Sequence, residues 1–255
     1  MLDKVIQIAR EAGEIIRDGF GKNFSIEFKT NSSNLVTEID KKSEAAIIGF
    51  IKKEFPGHSI LAEESGTQKF NSEYTWVIDP IDGTTNFAHG LPIFSVSIGV
   101  MKKEEIICGV VYDVMMNQLF TVEKGSGAYC NNVKMYVSEN SNLAHGFLVT
   151  GFPYDIENNP DSAIERFGDF VVSSRAVRRL GSAAIDMCYV AKGVFDGFWE
   201  VSLNPWDICA AKLLVEEAGG KVTNFTGEEI PIYSKQILAT NGKVHDAMIE
   251  KLSLR

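Results

Sequence analysis

The chain has 255 residues, 45% hydrophobic and 23% charged, with 34 acidic against 25 basic side chains and a formal charge of −9. That length can bury a sizeable core, as one large domain or two closely packed halves. The acidic balance leaves no broad basic field for nucleic acid or anionic lipid, and no run approaches ~18 uninterrupted apolar residues. Met1-Leu2-Asp3-Lys4 opens no basic-then-apolar leader, so the reading is a cytoplasmic protein without a membrane span. Cys108, Cys130, Cys188 and Cys209 form no C-x-x-C pair and read as buried free thiols. His58, His89, His145 and His245 are equally scattered, so zinc is not expected.

In chain order, Leu2, Val5, Ile6, Ala9, Ala12, Gly13, Ile16 and Phe20 recur at three- and four-residue steps and predict an amphipathic helix stopped by Gly19 and Gly21. A polar loop, Thr30-Asn31-Ser32-Ser33-Asn34, follows, with Lys29 at its base. Thr37-Glu38-Ile39-Asp40 reads as a capping box opening a second helix, with Ile47, Phe50, Ile51 and Phe55 on its buried face. Ser59 to Ala62 is a short strand running into Glu63-Glu64-Ser65-Gly66. A second apolar run, Trp76-Val77-Ile78, ends in Asp79-Pro80-Ile81-Asp82-Gly83-Thr84, where Pro80 and Gly83 predict a turn between the two aspartates.

Strands are expected at 94–101, 106–112, 118–123 and 147–150, with a hairpin connection at 102–105. Helices are expected at 164–173, after Gly181-Ser182, from Trp206 to Ala218, and at 244–252. Further strands fall at 194–201, 221–224 and 237–240. The second half alternates helix and strand, so the fold class is layered α/β. Two acidic pairs within twenty residues, each at a strand end, imply strand ends converging on a hard cation such as Mg2+ or Ca2+.

These residues together resemble the Mg2+-dependent inositol monophosphatases and their fructose-1,6-bisphosphatase relatives. Trp76 to Phe87 is similar to the family's W-x-x-D-P-[IL]-D-G-T-x-N-[FY] motif. Trp206-Asp207-Ile208-Cys209-Ala210-Ala211 through Gly219-Gly220 is similar to its C-terminal W-D helix, and Val36-Thr37-x-x-Asp40 and Glu63-Glu64-Ser65 match in order and spacing. The resemblance implies a single domain over 1–255 with αβαβα layers, its two parts meeting near residue 137.

By the same resemblance, Glu63, Asp79 and the Ile81 carbonyl hold a first Mg2+, Asp79, Asp82 and Asp207 a second, and a third, weaker ion lies near Glu63. Asp40 and Thr84 activate the nucleophilic water beside Glu63, and Lys29 supports the cluster electrostatically. The Gly83 and Thr84 amides bind phosphate oxygens. Glu200, with Gly181, Ser182, Ala183 and Asp207, lines the alcohol side of the pocket, and Glu64 stands behind Glu63. Arg178 and Arg179 reach either a second phosphate or a subunit interface. The implied activity is hydrolysis of myo-inositol monophosphate or a similar polyol phosphate by a homodimer. Fructose-1,6-bisphosphate, alone or alongside inositol phosphate, is the alternative substrate; nucleotide 3′-phosphatases usually carry longer insertions. A reading from another class is a binding partner of the transcription machinery.

Overall fold

The apolar spacing of the first twenty residues produces α1 (Leu2–Gly19), whose face of Val5, Ile8, Ala9, Ala12 and Ile16 is buried. The structure, a computed structural model, describes residues 1–28 and 34–253. After α1, a two-stranded antiparallel ribbon of β1 (Ile26–Phe28) and β2 (Leu35–Thr37) leads into α2 (Glu38–Glu54). The predicted capping box forms there. Thr37 Oγ1 accepts the Ile39 and Asp40 amides, and the Asp40 carboxylate accepts the Thr37 amide.

Eight strands then build the first sheet: β3 (Ser59–Ala62), β4 (Gly66–Gln68), β5 (Tyr74–Asp82), β6 (Ser95–Lys102), β7 (Glu105–Asp113), β8 (Gln118–Glu123), β9 (Ala128–Cys130) and β10 (Val133–Lys134). Their spatial order is β10-β9-β8-β7-β6-β5-β3-β4. All pairs are antiparallel except β3 with β5, so the sheet is mixed. Parallel pairing sends β3 and β5 toward the same edge, which is why Glu63 and Asp79 finish together. The short helix α3 (Thr84–Ala88) follows β5 at once.

The second half forms a five-stranded sheet ordered β12-β11-β13-β15-β14, from β11 (Phe147–Thr150), β12 (Ala176–Arg178), β13 (Gly197–Val201), β14 (Lys221–Thr223) and β15 (Gln236–Thr240). Its helices are α4 (Ala163–Ser173), α5 (Ala183–Ala191), α6 (Pro205–Glu217) and α7 (His245–Leu252). Three apolar clusters define the layering. One packs α1 and α2 on the outer face of the first sheet, a second holds α5 and α6 between the sheets, and a third places α4 and α7 outside the second sheet. The order is the expected αβαβα. All four cysteines are buried and free.

The depth of α6 is set by two glycines. Gly99 on β6 faces Gly109 on β7 across the ladder. A Cβ on Gly99 would stand 2.4 Å from Cys209 Sγ, and one on Gly109 2.9 Å from Ala210 Cβ. The helix therefore lies nearly against bare backbone, two and three residues beyond Asp207. Gly109→Val forces overpacking at that contact, and we expect it to cost about 1–3 kcal/mol. In urea this appears as a lower unfolding midpoint at unchanged slope.

Candidate active site

A strand alternates its side chains, so Asp79 and Asp82, three residues apart, would face opposite sides of a regular β5. The ladder prevents this. Asp79 pairs with Ser97 and Asp82 with Ser95, three steps opposite two, which is a bulge with one extra residue. The turn expected at Pro80 is thus a bulge within the strand, because the chain still pairs with β6 on both sides. The reversal itself comes at Gly83, whose φ of 100° is left-handed and whose Cβ would lie 3.0 Å from the Ile93 carbonyl oxygen. Both aspartates are buried and line one cavity of about 430 Å3 with Glu63, Thr84, Gly181, Ser182, Ala183, Glu200 and Asp207.

Each acid is fixed by its own support. Asp79 Oδ1 accepts the Ile81 amide at 3.0 Å. Asp82 Oδ2 accepts the Ser182 hydroxyl at 2.5 Å and the Ala184 amide at 2.8 Å, so the first half is tied to the start of α5. Asp207 is the third residue of α6 and accepts the Asn204 amide at 2.7 Å in a second capping box. Ser182, expected to line the alcohol side, also caps α5 through the Ile185 amide. Thr84 Oγ1 lies 2.9 Å from Asp40 Oδ1 and 3.0 Å from the Ile81 carbonyl oxygen, while Asp40 Oδ2 is held by the Thr37 hydroxyl at 2.5 Å. Ile81 is buried, and Gly83 caps α3 ahead of Thr84. Lys29 lies outside the described residues. Of the two arginines, Arg179 lines the cavity, whereas Arg178 donates to the Val177 carbonyl and covers the Phe147 ring.

Three supporting residues escaped the sequence reading. Glu44, buried on α2, accepts the Glu64 and Ser65 amides at 2.8 and 2.9 Å and so fixes the turn that carries Glu63. Asn86 on α3 donates to the Ile93 and Leu180 carbonyls, both at 2.8 Å, which joins β5's exit to Gly181. Asp186, buried on α5, lines the cavity with its Oδ1 unpartnered among the described residues. Its signal was a lone acid in an otherwise apolar helix.

The electrostatics are lopsided. Among the described residues, seven carboxyl groups line the cavity against the single guanidinium of Arg179. Burial, reinforced by the charges of Glu63, Asp82 and Asp207 and a hydrogen bond with Glu63, pushes the Asp79 carboxyl well above its ordinary range. Asp207 rises likewise through burial, Asp82 and Glu63. Asp82 is pushed by burial to about 6 against the pull of Ser182 and Ala184, and burial also raises Asp40.

Among the described residues no group of three or more His, Cys, Asp or Glu side chains forms a ready-made metal cage. The lining, among the described residues, holds carboxylates, carbonyls and hydroxyls with no thiol or imidazole. That donor set fits a hard divalent ion that keeps several waters, as Mg2+ does.

Comparison with known proteins identifies the family. The chain belongs to the inositol monophosphatase family, whose model matches residues 1–254. It is 40% identical over 98% of its length to the chloroplastic phosphatase IMPL1 of Arabidopsis thaliana, covering 69% of that protein. It is 41% identical over 99% of its length to the Nus factor SuhB of Pasteurella multocida, covering 95% of it. Among solved structures, the inositol monophosphatase from Anabaena (Nostoc) sp. PCC 7120 superposes with a TM-score of 0.88 at 40% identity, with 99% of this chain and 95% of that one covered. An IMPase/NADP phosphatase complexed with Mg2+ and phosphate superposes at 0.86 with 25% identity, over 99% and 95% of the two chains. The layered fold and phosphatase class follow from that membership.

A carboxyl with a raised folded-state pKa carries stability at low pH and loses it as pH rises through that pKa. Asp79→Asn removes the buried charge while keeping an acceptor for the Ile81 amide. In chelator at pH 8 its melting temperature should exceed that of the wild type by roughly 2–4 °C, the shift about 1 kcal/mol gives at this chain length. Near pH 4 the difference should disappear.

Proposed function

We propose that this chain is a Mg2+-dependent phosphomonoesterase that hydrolyses myo-inositol monophosphate to inositol and phosphate. The observation that carries the reading is the gathering of Glu63, Asp79, Asp82 and Asp207 around one cavity, beside a Thr84–Asp40 pair. A phosphate dianion entering among those acids needs more positive charge than Arg179 supplies among the described lining residues. In this reading Glu63, Asp79 and the Ile81 carbonyl hold one ion, Asp79, Asp82 and Asp207 a second, and Glu63 helps hold a third among waters. When bound, the ions neutralise charge on the transferring phosphoryl group and lower the pKa of water.

The chain's own groups do the rest. Thr84 Oγ1 accepts a proton from the attacking water and passes its own to Asp40 Oδ1, so the hydroxyl stays neutral while the carboxylate takes the proton. Burial that raises Asp40 suits it to that task. The Ile81 carbonyl, 3.0 Å from Thr84 Oγ1, is the alternative acceptor for that single hydrogen, and while Thr84 donates to Asp40 its lone pairs are left for the cavity. Gly83 and Thr84 present amides where α3 starts, and the Lys29 ammonium adds positive charge. Gly181, Ser182 and Ala183 wall the alcohol side, where Glu200 accepts hydrogen bonds from substrate hydroxyls. The family resemblance extends the proposal to a homodimer.

Phosphate release should require Mg2+, and Glu63→Gln or Asp207→Asn should each lower kcat by about 10²–10³-fold, the scale of one removed electrostatic contact. A panel of inositol 1-phosphate, fructose 1,6-bisphosphate and adenosine 3′,5′-bisphosphate should show the highest kcat/KM for the first. Full activity in either variant refutes the ion assignment. Thr84→Val, which keeps the shape and removes the hydroxyl, should lower kcat by about 10²–10⁴-fold with little change in KM.

The likeness to a Nus factor favours a second reading, in which the chain is chiefly a partner of the transcription machinery. Absence of phosphate release from every panel substrate in Mg2+ would leave that reading in place of the first.

A further inference from the structure

Beside the acids of β5, the cavity has a wall made by the ends of β11 and β13. These strands run parallel with Thr150 opposite Trp199, so Gly151 and Glu200 come next to each other where the sheet stops. Both line the cavity. A Cβ at Gly151 would stand 2.2 Å from Glu200 Oε2, 2.3 Å from Oε1 and 2.4 Å from Cδ. Those are distances at which atoms overlap, and they involve the whole carboxyl group.

The backbone does not call for glycine here, because Gly151 is absent from the left-handed positions of the chain. What calls for it is the carboxyl occupying the place of a side chain. Glu200 is 8% exposed, and among the described residues no protein group hydrogen-bonds its oxygens. Its surrounding charges pull in different directions, with Arg179 attracting it while Asp207 and Asp82 repel it. Packing over Gly151 limits where it can rest.

We propose that Gly151 is a positioning residue for specificity. The missing side chain seats the Glu200 carboxyl flat against the strand end with both oxygens unspent, ready to accept from hydroxyls of the departing alcohol. Esters of polyols are thereby favoured over esters of alcohols that carry no further hydroxyl. The inference rests on the assignment of Glu200 to the alcohol side of the pocket.

The test compares wild type, Gly151→Ala, Glu200→Ala and the double variant, with inositol 1-phosphate and phenyl phosphate as substrates and thermal unfolding measured without substrate. Gly151→Ala should raise KM for inositol 1-phosphate about tenfold, the effect of losing one hydrogen bond to a charged group. Its kcat/KM for phenyl phosphate should hold. It should lower the melting temperature in the wild-type background and leave it unchanged in the Glu200→Ala background, where nothing remains to collide with. Equal loss on both substrates, or the same thermal penalty in both backgrounds, overturns the proposal. Should Gly151→Ala alone fail to fold, a folded double variant supports the cradle and an unfolded one overturns it. An unchanged KM for inositol 1-phosphate in Glu200→Ala removes the assignment of Glu200, and with it the specificity role of Gly151, while the thermal comparison still decides whether the cradle exists.

Discussion

Confinement of like charge is the constraint around which this molecule is arranged. Carboxyl groups from β5, from the turn after β3 and from the first turn of α6 share a cavity with few compensating cations. Water would ordinarily screen such groups, and burial removes most of it. The arrangement persists only because each acid is bound to a rigid element whose own packing is satisfied elsewhere. The apolar clusters on either side of the eight-stranded sheet supply that packing.

Much of the fold was legible because its period is regular. The spacing in α1, the capping box at Thr37–Asp40 and the run from Trp206 to Ala218 each carry a local signal that tertiary contacts reinforce. The short strands β1, β4 and β12 were not legible. With three residues apiece they show no periodicity, and their pairing comes from neighbours distant in sequence. The parallel pairing of β3 with β5 likewise depends on a connection through β4 that a local pattern does not encode.

At the candidate site, the acids were conspicuous because carboxylates at strand ends are unusual, and the motif resemblance ordered them. Their supports were hidden for the opposite reason. Glu44 and Asn86 are polar residues on helices, where such residues are ordinary, and only the fold shows that they secure turns rather than face solvent. Gly151 was hidden differently, since a glycine after a strand reads as punctuation until the neighbouring strand is in place. The Asp79–Asp82 bulge was masked by Pro80, which by itself announces a turn.

Asp40, Asp82 and Asp207 share one habit: each gives an oxygen to backbone amides at or just before the start of a helix, α2, α5 and α6 in turn. The same atoms that begin these helices therefore aim the remaining oxygens of the acids. Architecture and chemistry are written in a single set of side chains here, so selection cannot trade one against the other at these positions. Divergence among relatives has to proceed instead through the walls, where residues shape the pocket without starting a helix.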